Sequence, residues 1–246
     1  MSKSYVFGMH AVNALLTKQP ERVIQLFIQK ERHDQKIQQL VDLAKQLRLT
    51  IELISRHDLD AITGNAVHQG VAALCHKART YTENDLEALL EHNPQPFLLI
   101  LDGVQDPHNL GACLRSADAA GVDAVIVPKD KSATITPTVS KVACGAAETI
   151  PFIQVTNLAR TMRYLKEHDI WLMGAAGEAE TSLYQAKLTG PLGLVLGAEG
   201  EGLRRLTREH CDILLNIPLH GTVSSLNVSV ATGIFLFEAL RQRSAR

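Results

Sequence analysis

The segment IPLHGTVSSLNVSVATG, residues 217–233, holds more small polar side chains than its position requires. It follows a short apolar strand pattern and leads into a helix pattern, and one residue is enough to cap a helix. Ser224 or Ser225 is the expected cap. Asn227 would then lie inside the first turn, where asparagine weakens a helix unless its amide has a partner. The surplus of hydroxyl and amide groups therefore indicates a site for a polar ligand.

Two further segments carry unusual residues directly after apolar strand patterns. DPHNLGACLR, residues 106–115, begins as a helix entry that Asp106 or an asparagine caps, but it ends on Arg115 among small apolar residues. LGAEGEGL, residues 196–203, surrounds Glu199 with glycines, which let backbone approach a ligand closely. Taken alone, the first segment is explained as a helix entry with a solvated arginine, and the second is explained as a flexible turn. Because ligands of open α/β sheets bind beyond the carboxyl ends of strands, we expect the segments to meet there.

The elements that must position these residues alternate between strand and helix. A small α/β domain is predicted for residues 1–77, and a polar linker with one short helix, capped at Thr82, for residues 78–96. From residue 97 to residue 246, buried strand patterns such as FLLILD, DAVIVP and LGLVLG are separated by helix patterns. This order predicts a doubly wound, Rossmann-like parallel sheet.

The composition excludes several classes of protein. The chain has 246 residues, 46% of them hydrophobic, so it can form packed cores. With a formal net charge of −1 and a pI of about 6.8, it must hold any polyanion through a local patch. Its four cysteines are scattered without metal spacing, as expected for reduced thiols in the cytoplasm. We expect no metal, and neither a membrane nor DNA as a partner.

The loops that bind common cofactors have no counterpart in this sequence. No GxGxxG follows a strand pattern, which disfavours a nicotinamide-dependent enzyme. GxxxxGK[ST] and GxSxG are also missing, which disfavours P-loop NTPases and α/β-hydrolases. The ligand of the three segments therefore belongs to another class.

Taken together, the segments read D-P-x-N-x-G-x3-R, G-x-E-G-x-G and I-P-x2-G-x2-S-S-L-N-V-S-x-A. This order resembles the SpoU/TrmH family of RNA ribose 2′-O-methyltransferases, within the SPOUT superfamily, from about Phe97 to the end. YVFGMHAVNALL near the N-terminus is similar to the start of the small α/β RNA-binding domain that many members carry. The resemblance implies S-adenosylmethionine as the cofactor, a homodimer, and a parallel sheet with a deep trefoil knot. Threaded chains are rare, so pattern alone does not indicate the knot.

The resemblance also implies roles for individual residues. The residues expected to line the cofactor pocket are Gly197, Ile217 and Leu226. Those expected at the reaction centre are Asn109, Arg115, Glu199, Ser225 and Asn227. Two roles are open for the arginine: a base for the ribose proton, or a cation that stabilises the developing alkoxide. A guanidinium is effectively always protonated, which favours stabilisation.

The similarity is strongest to members that methylate a guanosine ribose in the peptidyl-transferase P-loop of 23S rRNA. A relative that acts on tRNA ribose, and a non-catalytic RNA-binding relative, are the alternatives. Five basic residues are expected to face either RNA or solvent: Lys129, Lys131, Arg204, Arg205 and Arg208. The last helix pattern includes Val230 and Phe237, and its apolar residues are expected to lie either in the dimer interface or in the core.

Overall fold

Two units make up residues 3–32 and 34–244, the part of the chain described by the computed structural model. The first unit contains the residues up to Arg79 together with Cys144–Thr149. The second contains Thr80–Ala143 and the residues from Ile150 onward. The predicted linker carries a helix, α4 (Glu83–His92), and its Leu86 is buried in the core of the second unit. The boundaries 1–77, 78–96 and 97–246 stay predictions.

A mixed sheet forms the centre of the first unit. Its elements are β1 (Lys3–Phe7), α1 (Met9–Lys18), β2 (Val23–Gln29), α2 (Gln35–Gln46), β3 (Thr50–Ile54), α3 (Arg56–Thr63) and β4 (Val71–His76). The strand order is β1-β4-β2-β3, with β2 and β3 parallel and the other pairs antiparallel. Helix α2 turns one apolar stripe to the core, with Ile37, Leu40 and Ala44 buried. Helix α3 was not predicted, although Ser55 and Asp58 form the capping box that announces it.

A parallel sheet forms the centre of the second unit. Its strands are β5 (Phe97–Asp102), β6 (Ala124–Pro128), β7 (Phe152–Val155), β8 (Trp171–Ala175), β9 (Thr181–Ser182), β10 (Leu192–Gly197) and β11 (Ile213–Asn216). Their order is β7-β6-β5-β10-β8-β11-β9, and every pairing is parallel. Every residue of β5 is buried, as expected for a parallel strand covered on both faces. The predicted α/β class, with a parallel sheet after a smaller α/β unit, is confirmed.

Helices connect these strands across the faces of the sheet. They are α5 (Pro107–Ala119), α6 (Pro137–Ala143), α8 (Leu158–Glu167), α9 (Arg205–His210) and α10 (Val228–Ser244). The short helix α7 (Ala146–Thr149) lies in the segment that belongs to the first unit. The predicted cap of α5 is confirmed: the Asn109 backbone N–H donates to Asp106 Oδ1 at 2.8 Å. One helix was predicted where α6 and α7 lie. The chain breaks it at Cys144 and Gly145, which have φ angles of 52° and 100°.

The start of α10 differs from the expectation. The helix begins at Val228, and neither Ser224 nor Ser225 caps it. Asn227 is the cap: its carbonyl accepts from the Ala231 N–H, and its Oδ1 accepts from the Ser229 N–H at 2.9 Å. The asparagine is therefore outside the first turn, in the position where its side chain stabilises the helix.

Helix α10 returns from β11 to the middle of the sheet, where it packs against α5 and β10. Cys113 of α5 donates from Sγ to Thr232 Oγ1 at 3.4 Å, and Phe235 is fully buried. The three motifs are thereby carried to one region of the second unit. Among the described residues, no helix combines the length and the apolar character that a bilayer crossing requires.

Candidate active site

Three side chains from distant parts of the chain form one hydrogen-bonded cluster, which we call the amide–carboxylate cluster: Asn109, Glu199 and Asn227. Asn227 Nδ2 donates to Asn109 Oδ1 at 3.0 Å and to Glu199 Oε2 at 3.4 Å. Asn109 Nδ2 donates to the same Glu199 oxygen at 3.2 Å. Both side-chain amides thus donate to one oxygen of the Glu199 carboxylate, and the other oxygen of this carboxylate makes no hydrogen bond within the cluster.

Local structure fixes each member of this cluster. Asn109 lies in the first turn of α5, directly above the Asp106 cap. Asn227 is held from its other end, because its Oδ1 also accepts from Ser229 Oγ at 2.6 Å. Glu199 sits on a tight turn closed by the Gly202 N–H, which donates to the Ala198 carbonyl at 2.9 Å. Helix capping therefore fixes the Asn227 amide and the backbone of Asn109, and the hydrogen bonds of the cluster orient the Asn109 amide.

The glycine at the end of β10 has no room for a side chain. A Cβ on Gly197 would lie 2.0 Å from the Gly202 carbonyl carbon. The turn that carries Glu199 therefore folds directly over this strand end. Asp102, only 1% exposed at the end of β5, anchors the same turn. Its Oδ2 accepts from the Arg204 backbone N–H at 3.0 Å, and its Oδ1 accepts from Arg204 Nε at 2.6 Å.

A cavity of about 420 Å³ lies beyond the carboxyl ends of β8, β10 and β11. The predicted site residues among its lining are Gly197, Glu199, Ile217, Ser225 and Leu226. Its size lies within the range of small-molecule sites, and its walls combine apolar side chains with loop backbone. A nucleoside cofactor with a charged tail fits this combination, because adenine needs an apolar slot with backbone hydrogen bonds.

Arg115 is the predicted site residue that lies neither in the cluster nor in the cavity lining. It lies six residues beyond Asn109 on α5, about 9 Å further along the helix axis. Its side chain is exposed and does not line the cavity. It has no hydrogen bond or ion pair to any other residue that the structure describes.

Two family profiles match the chain. Residues 5–81 match the RNA 2′-O ribose methyltransferase substrate-binding family, and residues 96–237 match the SpoU rRNA methylase family. The chain belongs to the SpoU rRNA methylase family. The resemblance of its three motifs to this family is confirmed.

Relatives cover nearly the whole chain. The 23S rRNA (guanosine-2′-O-)-methyltransferase RlmB of Escherichia coli (strain K12) is 62% identical over 239 residues, 97% of this chain and 98% of that protein. RlmB of Pectobacterium atrosepticum is 61% identical over 238 residues, with the same coverage. The SpoU methyltransferase AviRb of Streptomyces viridochromogenes, solved with the cofactor AdoMet, shares the fold. Its TM-score is 0.76 at 23% identity, over 99% of this chain and 92% of that chain.

Sequence reasoning missed one wall of the SpoU cavity. Residues 175–178, at the carboxyl end of β8 and just beyond it, line it together with Arg208 and Phe235. The rule that ligands bind beyond the carboxyl ends of parallel strands applies to β8 as it does to β10. The segment GAAGE, which spans the end of this strand, was therefore the available signal.

Arg204, Arg205 and Arg208, for which the sequence left RNA contact and solvent exposure open, all have carboxylate partners in the structure. Arg204 binds Asp102, and Arg205 pairs with Glu209 at 2.6 Å. Arg208 forms an ion pair with Glu178. Lys129 and Lys131 are exposed, and their ammonium groups make no hydrogen bond or ion pair within residues 3–32 and 34–244. Of these five cations, the two lysines are therefore the ones without a carboxylate partner.

The cysteines near the site are unsuited to act as nucleophiles. Burial raises the pKa of the Cys113 thiol to about 11 and that of Cys211 to about 12. Both therefore stay protonated at neutral pH, and only the thiolate is strongly nucleophilic.

Proposed function

We propose that the chain transfers a methyl group from S-adenosylmethionine to the ribose 2′-hydroxyl of a guanosine in 23S rRNA. The observation that carries the proposal is the amide–carboxylate cluster beside the cavity, assembled from all three motifs of the family. The RlmB relatives, named for this activity, support the substrate. We place the target in the peptidyl-transferase P-loop, and the protein in the cytoplasm, where ribosomes are made.

We propose that Gly197, Ile217 and Leu226 hold the cofactor in the cavity. The crowded backbone at Gly197 brings peptide groups close to a ligand, and the two aliphatic side chains offer an apolar surface. When bound, S-adenosylmethionine supplies a methyl group activated by its sulfonium sulfur. The sheet and its loops supply positioning, which accounts for much of the rate in a reaction between two bound partners.

The cluster positions the ribose. The free oxygen of Glu199 accepts a hydrogen bond from the substrate, while Asn109 and Asn227 keep that carboxylate in one orientation. Ser225, on the cavity wall, adds a hydroxyl that both donates and accepts. Because these groups are held before binding, little reorganisation opposes the reaction.

Arg115 completes the centre when RNA binds. Its guanidinium has no partner among the described residues, so it is available to an RNA phosphate. We propose that the phosphate next to the target ribose draws Arg115 to the cluster. There it stabilises the negative charge that develops on the 2′-oxygen as the hydroxyl proton passes to water.

We propose that the second unit dimerises through α10 and adopts the knot of its family. Val230 is 51% exposed and Phe237 48% exposed, and they lie seven residues apart on one face of the helix. Phe235, by contrast, belongs to the core. The first unit, matched by a substrate-binding family, is the part that we propose recognises RNA.

The proposal is tested by mapping ribose methylation on 23S rRNA from cells that lack the protein. We expect one guanosine to lose its 2′-O-methyl group and to regain it with the wild-type gene but not with Asn109→Ala. The purified protein should methylate 23S rRNA transcripts and leave tRNA transcripts unmodified. Methylation of tRNA alone would show that tRNA, and not rRNA, is the substrate. An unchanged rRNA map would contradict the proposal.

A further inference from the structure

An ion pair lies on the wall of the cavity away from the amide–carboxylate cluster. Arg208 of α9 donates from Nη1 to Glu178 Oε1, and both residues line the cavity. Glu178 follows β8, which β10 separates from β5 and hence from Asn109. The cavity therefore has the cluster at one side and a cation–carboxylate pair at the other.

This pair is unusual among the charges of the cavity. The other charged residues in its lining are Glu199 and Glu201, so Arg208 is the single cation among the described lining residues. A ligand carboxylate that enters the cavity has this guanidinium as its charged partner. Guanidinium groups bind carboxylates with two parallel N–H donors, which makes the arrangement specific for that group.

The backbone holds Glu178 in place. The Ala176 N–H donates to the Leu215 carbonyl at 3.0 Å, and the Ala179 N–H donates to the Ala176 carbonyl at 3.1 Å. Asn216 Nδ2 donates to the Ala179 carbonyl from the end of β11. The turn that carries Glu178 is therefore tied to the sheet on both sides.

We infer that Glu178 and Arg208 bind the amino-acid end of the cofactor, Arg208 its carboxylate and Glu178 its ammonium group. The inference rests on the proposed function. A neutral pair of opposite charges complements a zwitterion with one group of each sign, whereas the adenine and ribose of the ligand carry no charge for it to match.

Arg208 and Glu178 can each exchange their mutual contact for a contact with a charged group of the ligand. The side chains of Arg208 and Glu178 are 41% and 61% exposed, so solvent screens their mutual attraction. The hydrogen bond from Arg208 lowers the pKa of Glu178, which is therefore ionised at neutral pH and able to accept from an ammonium. Each charge keeps a partner of opposite sign when the zwitterion enters.

Two ligands that differ only at the amino-acid end test this inference by calorimetry on the full chain. S-adenosylhomocysteine has that end, and 5′-methylthioadenosine lacks it. We expect Arg208→Gln and Glu178→Gln each to weaken S-adenosylhomocysteine by about tenfold, the loss of one partly screened charged contact. The affinity for 5′-methylthioadenosine should change by less than about twofold.

Arg205→Gln is the matched control, because Arg205 lies on the same helix and pairs with Glu209 outside the cavity. It should leave both affinities unchanged. Equal weakening of the two ligands by Arg208→Gln would show a merely structural role and overturn the inference, as would no weakening at all. A wild-type chain that binds neither ligand would instead overturn the proposed function.

Discussion

Asn109 and Arg115 come from one motif and one helix, yet the structure treats them in opposite ways. Asn109 is held by Glu199 and Asn227, and its position is fixed by the cap of α5. Arg115 is exposed and, among the described residues, has no partner. The difference separates a part of the site that the fold prepares from a part that we propose the substrate completes.

The two arrangements have different energetic consequences. A prearranged cluster adds to folding stability and lowers the reorganisation needed during the reaction. A free arginine contributes little to stability, since exposed side chains away from special features matter by about 0.5 kcal/mol or less. Substitutions in the cluster should therefore lower both activity and stability, whereas substitution of Arg115 should lower activity with little change in stability.

The largest expected effect separates activity from stability at Arg115. Arg115→Ala should reduce the methyl-transfer rate by about a thousandfold, because a cation that stabilises developing charge is lost. The free energy of unfolding should stay within about 0.5 kcal/mol of wild type. Single-turnover assays and urea denaturation measure the two quantities. Arg163→Ala, at an exposed arginine of α8 outside the cavity, should leave both unchanged, and a near-normal rate for Arg115→Ala would remove this residue from the centre.

Substitution of Asn227 should reduce both quantities, because one side chain caps α10 and holds the cluster. Asn227→Ala should lower the rate by about a hundredfold through misplacement. It should also cost about 1–2 kcal/mol of stability.

Asn227→Asp separates these two functions. It keeps the Oδ1 acceptor for Ser229 but loses the Nδ2 donor and places a second carboxylate beside Glu199. We expect it to retain most of the stability and to lose the activity. If Asn227→Ala and Asn227→Asp lost the same amount of stability, loss of the helix cap would not be the reason for the lower stability.

Gly197→Ala should damage the cavity from its backbone side. The new Cβ would meet the Gly202 carbonyl carbon at 2.0 Å, so the turn that carries Glu199 must move. We expect a loss of about 1–3 kcal/mol in stability, as for overpacked sites, and a comparable loss in S-adenosylhomocysteine binding. Gly221→Ala, in a position where a Cβ meets nothing within 4 Å, is the control. Unchanged binding in Gly197→Ala would contradict the assignment of this glycine.

The smallest expected effect is at Glu199, whose substitution can keep the geometry of the cluster. Glu199→Gln retains an oxygen that accepts from Asn109 and Asn227 but removes the charge. We expect the rate to fall by about tenfold with stability changed by less than about 1 kcal/mol. A loss of rate in Glu199→Gln as large as that in Arg115→Ala would contradict this ranking of the two residues.

Local sequence decided the elements and the motifs of this protein. Asp106 precedes a proline and caps α5 as its position predicts, and the unbroken apolar run FLLILD forms a strand buried on both faces. The glycines of residues 196–203 permit the close approach of Gly197 to the Gly202 backbone, whereas their approach to a ligand stays a prediction. These features depend on neighbours in the chain, so the residue pattern contains them.

Tertiary structure decided which groups meet. The order β5-β10-β8 brings Glu199 between Asn109 and the unpredicted wall at residues 175–178, and hydrophobic periodicity carries no information on strand order. The return of α10 makes Asn227, rather than Ser225, the cap, and the fold of the turn after β10 pairs Arg204 with buried Asp102. Partners distant in the chain are chosen by packing, and the sequence pattern of either partner alone does not specify them.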